Sequence, residues 1–106
     1  MRQGDIVILE FPFSNMAEKK QRPAVVLSGA RYNRHANVLL AGIYGRKQPF
    51  SITITNADMR RKRLRKASYI SLQNIFSADK TLIKQTADAL TARKLAEVLA
   101  EVRECF

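Results

Sequence analysis

Arg22 is the residue best placed to do chemistry in this chain. It stands directly before the apolar run Pro23-Ala24-Val25-Val26-Leu27-Ser28, and a polar stretch carrying Lys19 and Lys20 leads into it. The pattern predicts a guanidinium delivered to the first residue of a buried strand, beside a basic loop. A planar guanidinium binds two phosphate oxygens at once and keeps its charge, so an Arg so placed suits a phosphodiester. RNA supplies its own nucleophile, the 2′-OH. A protein acting on it need only orient that group, stabilise charge on the phosphorus oxygens and protonate the leaving 5′-oxygen. Other chemistries lack their parts. With one His, one Cys and scattered carboxylates, the chain has no HExxH, DxD or Cys cluster, so no metal site is expected. Four glycines build neither GxGxxG nor GxxxxGK[ST], and no cofactor is expected. His35 stands alone and reads as an exposed loop residue.

The charge supports a polyanionic or acidic partner. The chain carries +10 at pH 7, and the excess is uneven. Residues 59–66, Met59-Arg60-Arg61-Lys62-Arg63-Leu64-Arg65-Lys66, hold six Lys or Arg and no acid, whereas residues 67–106 hold five of each sign. Two uses of the octet stay open: a grip on a polyanion, or a docking surface for an acidic protein tail.

These residues need elements to position them. The 106 residues make one domain spanning 1–106. Ile6 to Phe11 reads as a strand ending at Pro12, and Pro23 to Ser28 as a buried strand. Val38 to Ile43 is a third strand, in which Gly42 signals a bulge or bend. Phe50 to Thr55 alternates with period two, as does Ala67 to Leu72. Thr91 is a predicted N-cap, Leu90 and Leu95 fit a hydrophobic staple, and Leu95, Val98, Leu99, Val102 and Phe106 form one face of a closing helix. Cys105 belongs to that helix as a partly buried residue. The fold class is mainly β with a C-terminal α-helix, a small, strongly bent sheet or barrel whose edges a homodimer would cover. The chain has no 18-residue apolar run and no apolar leader behind Met1, so no membrane contact and a cytoplasmic location are expected.

The ordered set Gly4-Asp5-Ile6-Val7, Arg22-Pro23-Ala24-Val25-Val26-Leu27-Ser28, Val38-Leu39-Leu40-Ala41-Gly42-Ile43, Pro49-Phe50, Ser68-Tyr69-Ile70-Ser71-Leu72, Asp79-Lys80 and the last helix resembles the MazF/PemK toxins of type II toxin–antitoxin modules over nearly the whole chain. The resemblance implies an SH3-like barrel of the MazF/PemK/CcdB type, usually a homodimer. It implies metal-independent cleavage of single-stranded RNA, leaving a 2′,3′-cyclic phosphate and a 5′-hydroxyl. The implied partners are an acidic antitoxin protein and, together with it, operator DNA.

Carried over residue by residue, the family's catalytic Arg falls on Arg22. Its second catalytic residue, a Thr or Ser, falls on Tyr44, whose hydroxyl sits on a long rigid ring. Three readings follow: Tyr44 takes the role, a shifted alignment gives it to Ser28, or the protein binds without cutting. A base-contacting family position, often Gln, falls on Asn74. The family grips RNA with its first loop, here Asn15 to Gln21, which makes Asn15, Lys19 and Lys20 contacts. Arg46, Lys47 and Gln48 follow Tyr44 and would form the opposite wall, and Tyr44 could stack a base. Two alternatives stand beside the ribonuclease: a silent relative that binds nucleic acid and antitoxin, and a CcdB-like gyrase inhibitor.

Overall fold

Six antiparallel strands form one sheet in the order β4-β5-β3-β2-β1-β6. The strands are β1 (Asp5–Pro12), β2 (Lys19–Val26), β3 (Asn37–Tyr44), β4 (Ser51–Ile54), β5 (Ser68–Asp79) and β6 (Ile83–Ala89), followed by the helix α1 (Ala92–Glu104). This computed structural model describes residues 1–12 and 19–106, and the backbone alone at Phe11, Pro12 and Lys19.

The apolar runs of the central strands are continuous because both faces are buried. Ile6, Val25, Leu27, Ala41 and Ile43 point to one side, where they meet Ile52, Ile54, Ile70, Leu90 and Val98 of α1. Val7, Leu9, Ala24, Val26, Val38 and Leu40 point to the other and pack with Ala78, Phe76, Leu82 and Ile83. The period-two alternation of a strand divides each run between the two cores. Each fully buried aliphatic side chain contributes about 1.5–3 kcal/mol.

The helix begins as the sequence predicts. The Thr91 hydroxyl accepts from the Lys94 N–H, and Leu90 and Leu95 share the helix-side core. Phe106 departs from expectation: it lies beyond α1 and is 90% exposed, so the apolar stripe ends at Val102 and Cys105.

Two strand boundaries also differ. β2 starts at Lys19, so Arg22 and Pro23 lie within the strand, paired with Leu9 and Ile8 of β1, and Arg22 is not its first residue. β5 runs on to Asp79, because its second half pairs with the first half of β3. β6, unseen in the sequence, pairs with β1 through two register shifts. Its polar run Lys84-Gln85-Thr86 lacks the apolar signal of a strand. The segments that follow the two edge strands are tied together by a bridge between Met59 and Leu90.

Candidate nucleic-acid interface

The site is built by a register and a bulge. β2 and β3 pair at Val26–Leu40, Val25–Ala41 and Ala24–Gly42, where the ladder stops. Two residues farther along that register stand Arg22 and Tyr44. Arg22 falls on the same strand face as Ala24 and Val26, and Tyr44 on the same face as Leu40, because side chains alternate. On the other side of β3, β5 breaks step: Ala41 pairs with Ile75 and Ile43 with Ile70, so Ser71 to Asn74 bulge opposite Gly42. The bulge turns Asn74 toward Tyr44.

The result is a cleft of about 530 Å³ lined by Leu9, Arg22, Pro23, Gly42, Ile43, Tyr44, Asn74 and Phe76. Its floor is the apolar face of the sheet and its polar groups are few. Asn74 Nδ2 donates to the Tyr44 hydroxyl at 2.7 Å. Gly42 is buried between them: a Cβ there would stand 2.5 Å from Asn74 Nδ2 and 3.3 Å from Tyr44 Cε2. Tyr44 is half-buried and Arg22 exposed. Among the described residues no carboxylate forms an ion pair with Arg22. The arrangement offers a free guanidinium and an oriented phenol above an apolar floor, which together can hold an anion and stack a planar ring.

The structure therefore brings together Arg22, Tyr44 and Asn74 of the sequence-predicted residues. Lys20 is exposed and lies two residues before Arg22 on the same strand face. Lys19 pairs its backbone with Pro12, and its side chain lies outside the described residues, as does Asn15. Arg46 is exposed in the turn after β3. Lys47 and Gln48 line a second depression, between the β4 side and α1, with Phe50, Lys94, Glu97 and Glu101, and do not meet the Arg22 cleft. Ser28 is committed to structure: its hydroxyl bonds to Asn33 and accepts from the Leu39 N–H. Sequence reasoning missed Leu9, Pro23 and Phe76 as lining residues and the Asn74–Tyr44 bond. Only the Gly42 signal pointed to it.

The basic octet is held in shape. Asp88, 5% exposed, accepts from the backbone N–H groups of Arg61 (2.8 Å), Arg63 (3.2 Å) and Ala89 (2.8 Å). Lys62 between them has φ 55, and such a left-handed residue aims neighbouring N–H groups at one anion. Asn56 and Leu64 exchange two further bonds. Among the described residues no group of three or more His, Cys, Asp or Glu stands together, and no helix is long and apolar enough to cross a membrane.

A family model described as PemK-like, MazF-like toxin of type II toxin–antitoxin system matches residues 2–106. Among solved structures, a MazE–MazF complex from Deinococcus radiodurans superposes with a TM-score of 0.76 at 26% identity, covering 99% of this chain and 94% of that one. An endoribonuclease in complex with its cognate antitoxin from a mycobacterial species gives a TM-score of 0.75 at 14% identity, covering 98% and 90%. The Mycobacterium tuberculosis toxin MazF-mt6 gives 0.70 at 20% identity, covering 92% and 90%. The six-stranded antiparallel sheet with one C-terminal helix is the fold they share with this chain. No curated protein sequence matches it.

Proposed function

Because this chain belongs to the PemK-like, MazF-like toxins of type II toxin–antitoxin systems, we propose that it is a metal-independent endoribonuclease acting on single-stranded RNA at the Arg22–Tyr44–Asn74 cleft. The observation that carries the reading is the oriented phenol: Tyr44 stands where the register brings it opposite Arg22, and its oxygen accepts from Asn74.

The roles follow from the chemistry. The RNA 2′-oxygen attacks phosphorus and gives its proton to solvent water, the bond to the 5′-oxygen breaks, and that oxygen gains a proton in turn. The products are a 2′,3′-cyclic phosphate and a 5′-hydroxyl. Arg22 stabilises the negative charge that grows on the non-bridging oxygens. Tyr44 takes the place of a shorter hydroxyl. With one lone pair engaged by Asn74, its own O–H is left to donate to the phosphate or to the leaving oxygen. Half-buried Phe76 supplies the apolar surface against which a base lies, with buried Leu9 in the core behind it. Lys20, with Asn15 and Lys19 of the first loop, adds phosphate contacts, and Arg46, exposed in the turn after Tyr44, adds another. The same reading gives the chain an acidic antitoxin as partner, operator DNA bound together with it, and a homodimeric state.

Cleavage of a long single-stranded RNA in EDTA tests the proposal, with wild type, Arg22→Ala and Tyr44→Phe compared. Wild type cuts, Arg22→Ala loses at least 100-fold in rate, of the order seen when one transition-state donor is removed, and Tyr44→Phe loses activity while keeping RNA affinity. A well-folded wild type that binds RNA without cutting it overturns the reading.

A further inference from the structure

We propose that the loop 60–66 is a preorganised phosphate track that holds single-stranded RNA beyond the bond being cut. The inference rests on the ribonuclease reading for the identity of the strand, and on independent geometry for the track.

Six cations stand in seven residues, and Arg60, Arg61, Lys62, Arg63, Arg65 and Lys66 are all exposed. A loop so charged repels itself, and an acidic side chain paired with each cation would be the ordinary remedy. The structure does otherwise. Asp88 is the carboxylate at the loop, and it is consumed by backbone N–H groups rather than by guanidinium groups. Among the described residues no ion pair involves any of the six cations. The clamp thus fixes the backbone from beneath and leaves the charges facing out.

The loop also leads to the cleft. A Cβ on Gly45 would stand 3.1 Å from Lys66 Cε and 3.3 Å from its Nζ, so the Lys66 side chain lies over the residue that follows Tyr44. The other end lies at Leu90, whose carbonyl accepts from Arg60 Nε. A strand leaving the cleft past Tyr44 meets Lys66 first and the remaining cations after it. The surface favours nucleic acid over a protein tail. Leu64, the loop's one apolar side chain after Met59, packs on the core and offers no pocket to an apolar anchor. Protein interfaces deplete charge at their centre, whereas nucleic-acid interfaces concentrate positive charge.

The test measures binding of 2′-O-methyl RNA, which lacks the attacking hydroxyl, to the full chain at 50 to 200 mM salt. Oligomers of 5 and 20 nucleotides are compared for wild type and for Arg61→Gln/Lys62→Asn/Arg63→Gln, which keeps every backbone N–H that Asp88 uses. Each phosphate neutralised on a single strand contributes about −0.7 to the slope of log K against log salt. On the 20-nucleotide RNA, wild type shows the steeper slope and the triple variant loses about 2 of it, roughly a 20-fold change across this salt range. Arg65→Gln/Lys66→Gln, outside the clamp, repeats the loss should the triple variant fold poorly. An unchanged 20-nucleotide slope overturns the track. So does an unchanged slope accompanied by lost binding of poly-glutamate, which assigns the loop to an acidic protein. Cleavage of unmodified RNA is measured alongside. A wild type that never cuts, yet shows the loop-dependent slope, sinks the ribonuclease reading and leaves the track standing.

Discussion

Gly42→Ala is the most demanding test of the cleft, because it removes no functional atom. Gly42 is not among the residues with left-handed backbone; Gly4 is the glycine that adopts it. Alanine therefore fits the backbone and acts through its methyl group alone. That methyl would sit 2.5 Å from Asn74 Nδ2, so the amide retreats by about 1 Å to reach an unstrained separation. The 2.7 Å bond to the Tyr44 hydroxyl then stretches past hydrogen-bond range, and the ring, 3.3 Å from the same methyl, tilts with it. Asn74 is a short movable side chain, so stability falls by no more than about 1.5 kcal/mol, one hydrogen bond's worth. Activity falls much further, since a misplacement of about 1 Å in a reacting geometry costs roughly 100-fold. The assay pairs urea unfolding with RNA cleavage in EDTA, for Gly42→Ala, Asn74→Ala, Tyr44→Phe and the double variant Gly42→Ala/Tyr44→Phe. If Gly42 acts through the phenol, the double variant is no worse than Tyr44→Phe alone. Losses that add, or a Gly42→Ala protein that cuts at the wild-type rate, refute the reasoning.

Asp88→Ala strips the acceptor from three backbone N–H groups. Unfolding free energy in urea drops by about 2–3 kcal/mol, and hydrogen exchange at the Arg61 and Arg63 amides accelerates well beyond that global change. Thr91→Ala removes the cap of α1, whose Val98 is fully buried. It costs about 1 kcal/mol by the same denaturation, with RNA cleavage per folded molecule unchanged because α1 lies on the face away from the Arg22 cleft.

Much of this molecule follows from its sequence alone. The runs Ile6–Phe11, Pro23–Ser28 and Val38–Ile43 carry the apolar, β-branched signal of strands, and Thr91 with Leu90 and Leu95 marks a helix start. Burial and capping are local properties of residue type, so they are readable one segment at a time. Arg22, Tyr44 and Asn74 are nameable on another ground, as residue types at positions resembling a known family. Lys47 and Gln48 show the limit: they follow Tyr44 by a few residues, yet the turn carries them to another depression. β6 was invisible because pairing with β1, not its own polar residues, makes it a strand. The bond between Asn74 and Tyr44 spans 30 positions and depends on a bulge that exists only where β5 passes Gly42. Asp88 reads as an ordinary acid until folding buries it beneath the loop 60–66. The sequence determined which segments are buried and which residue types carry charge. The tertiary structure decided which of them meet, because register, bulges and buried polar bonds are set by pairing between segments far apart in the chain.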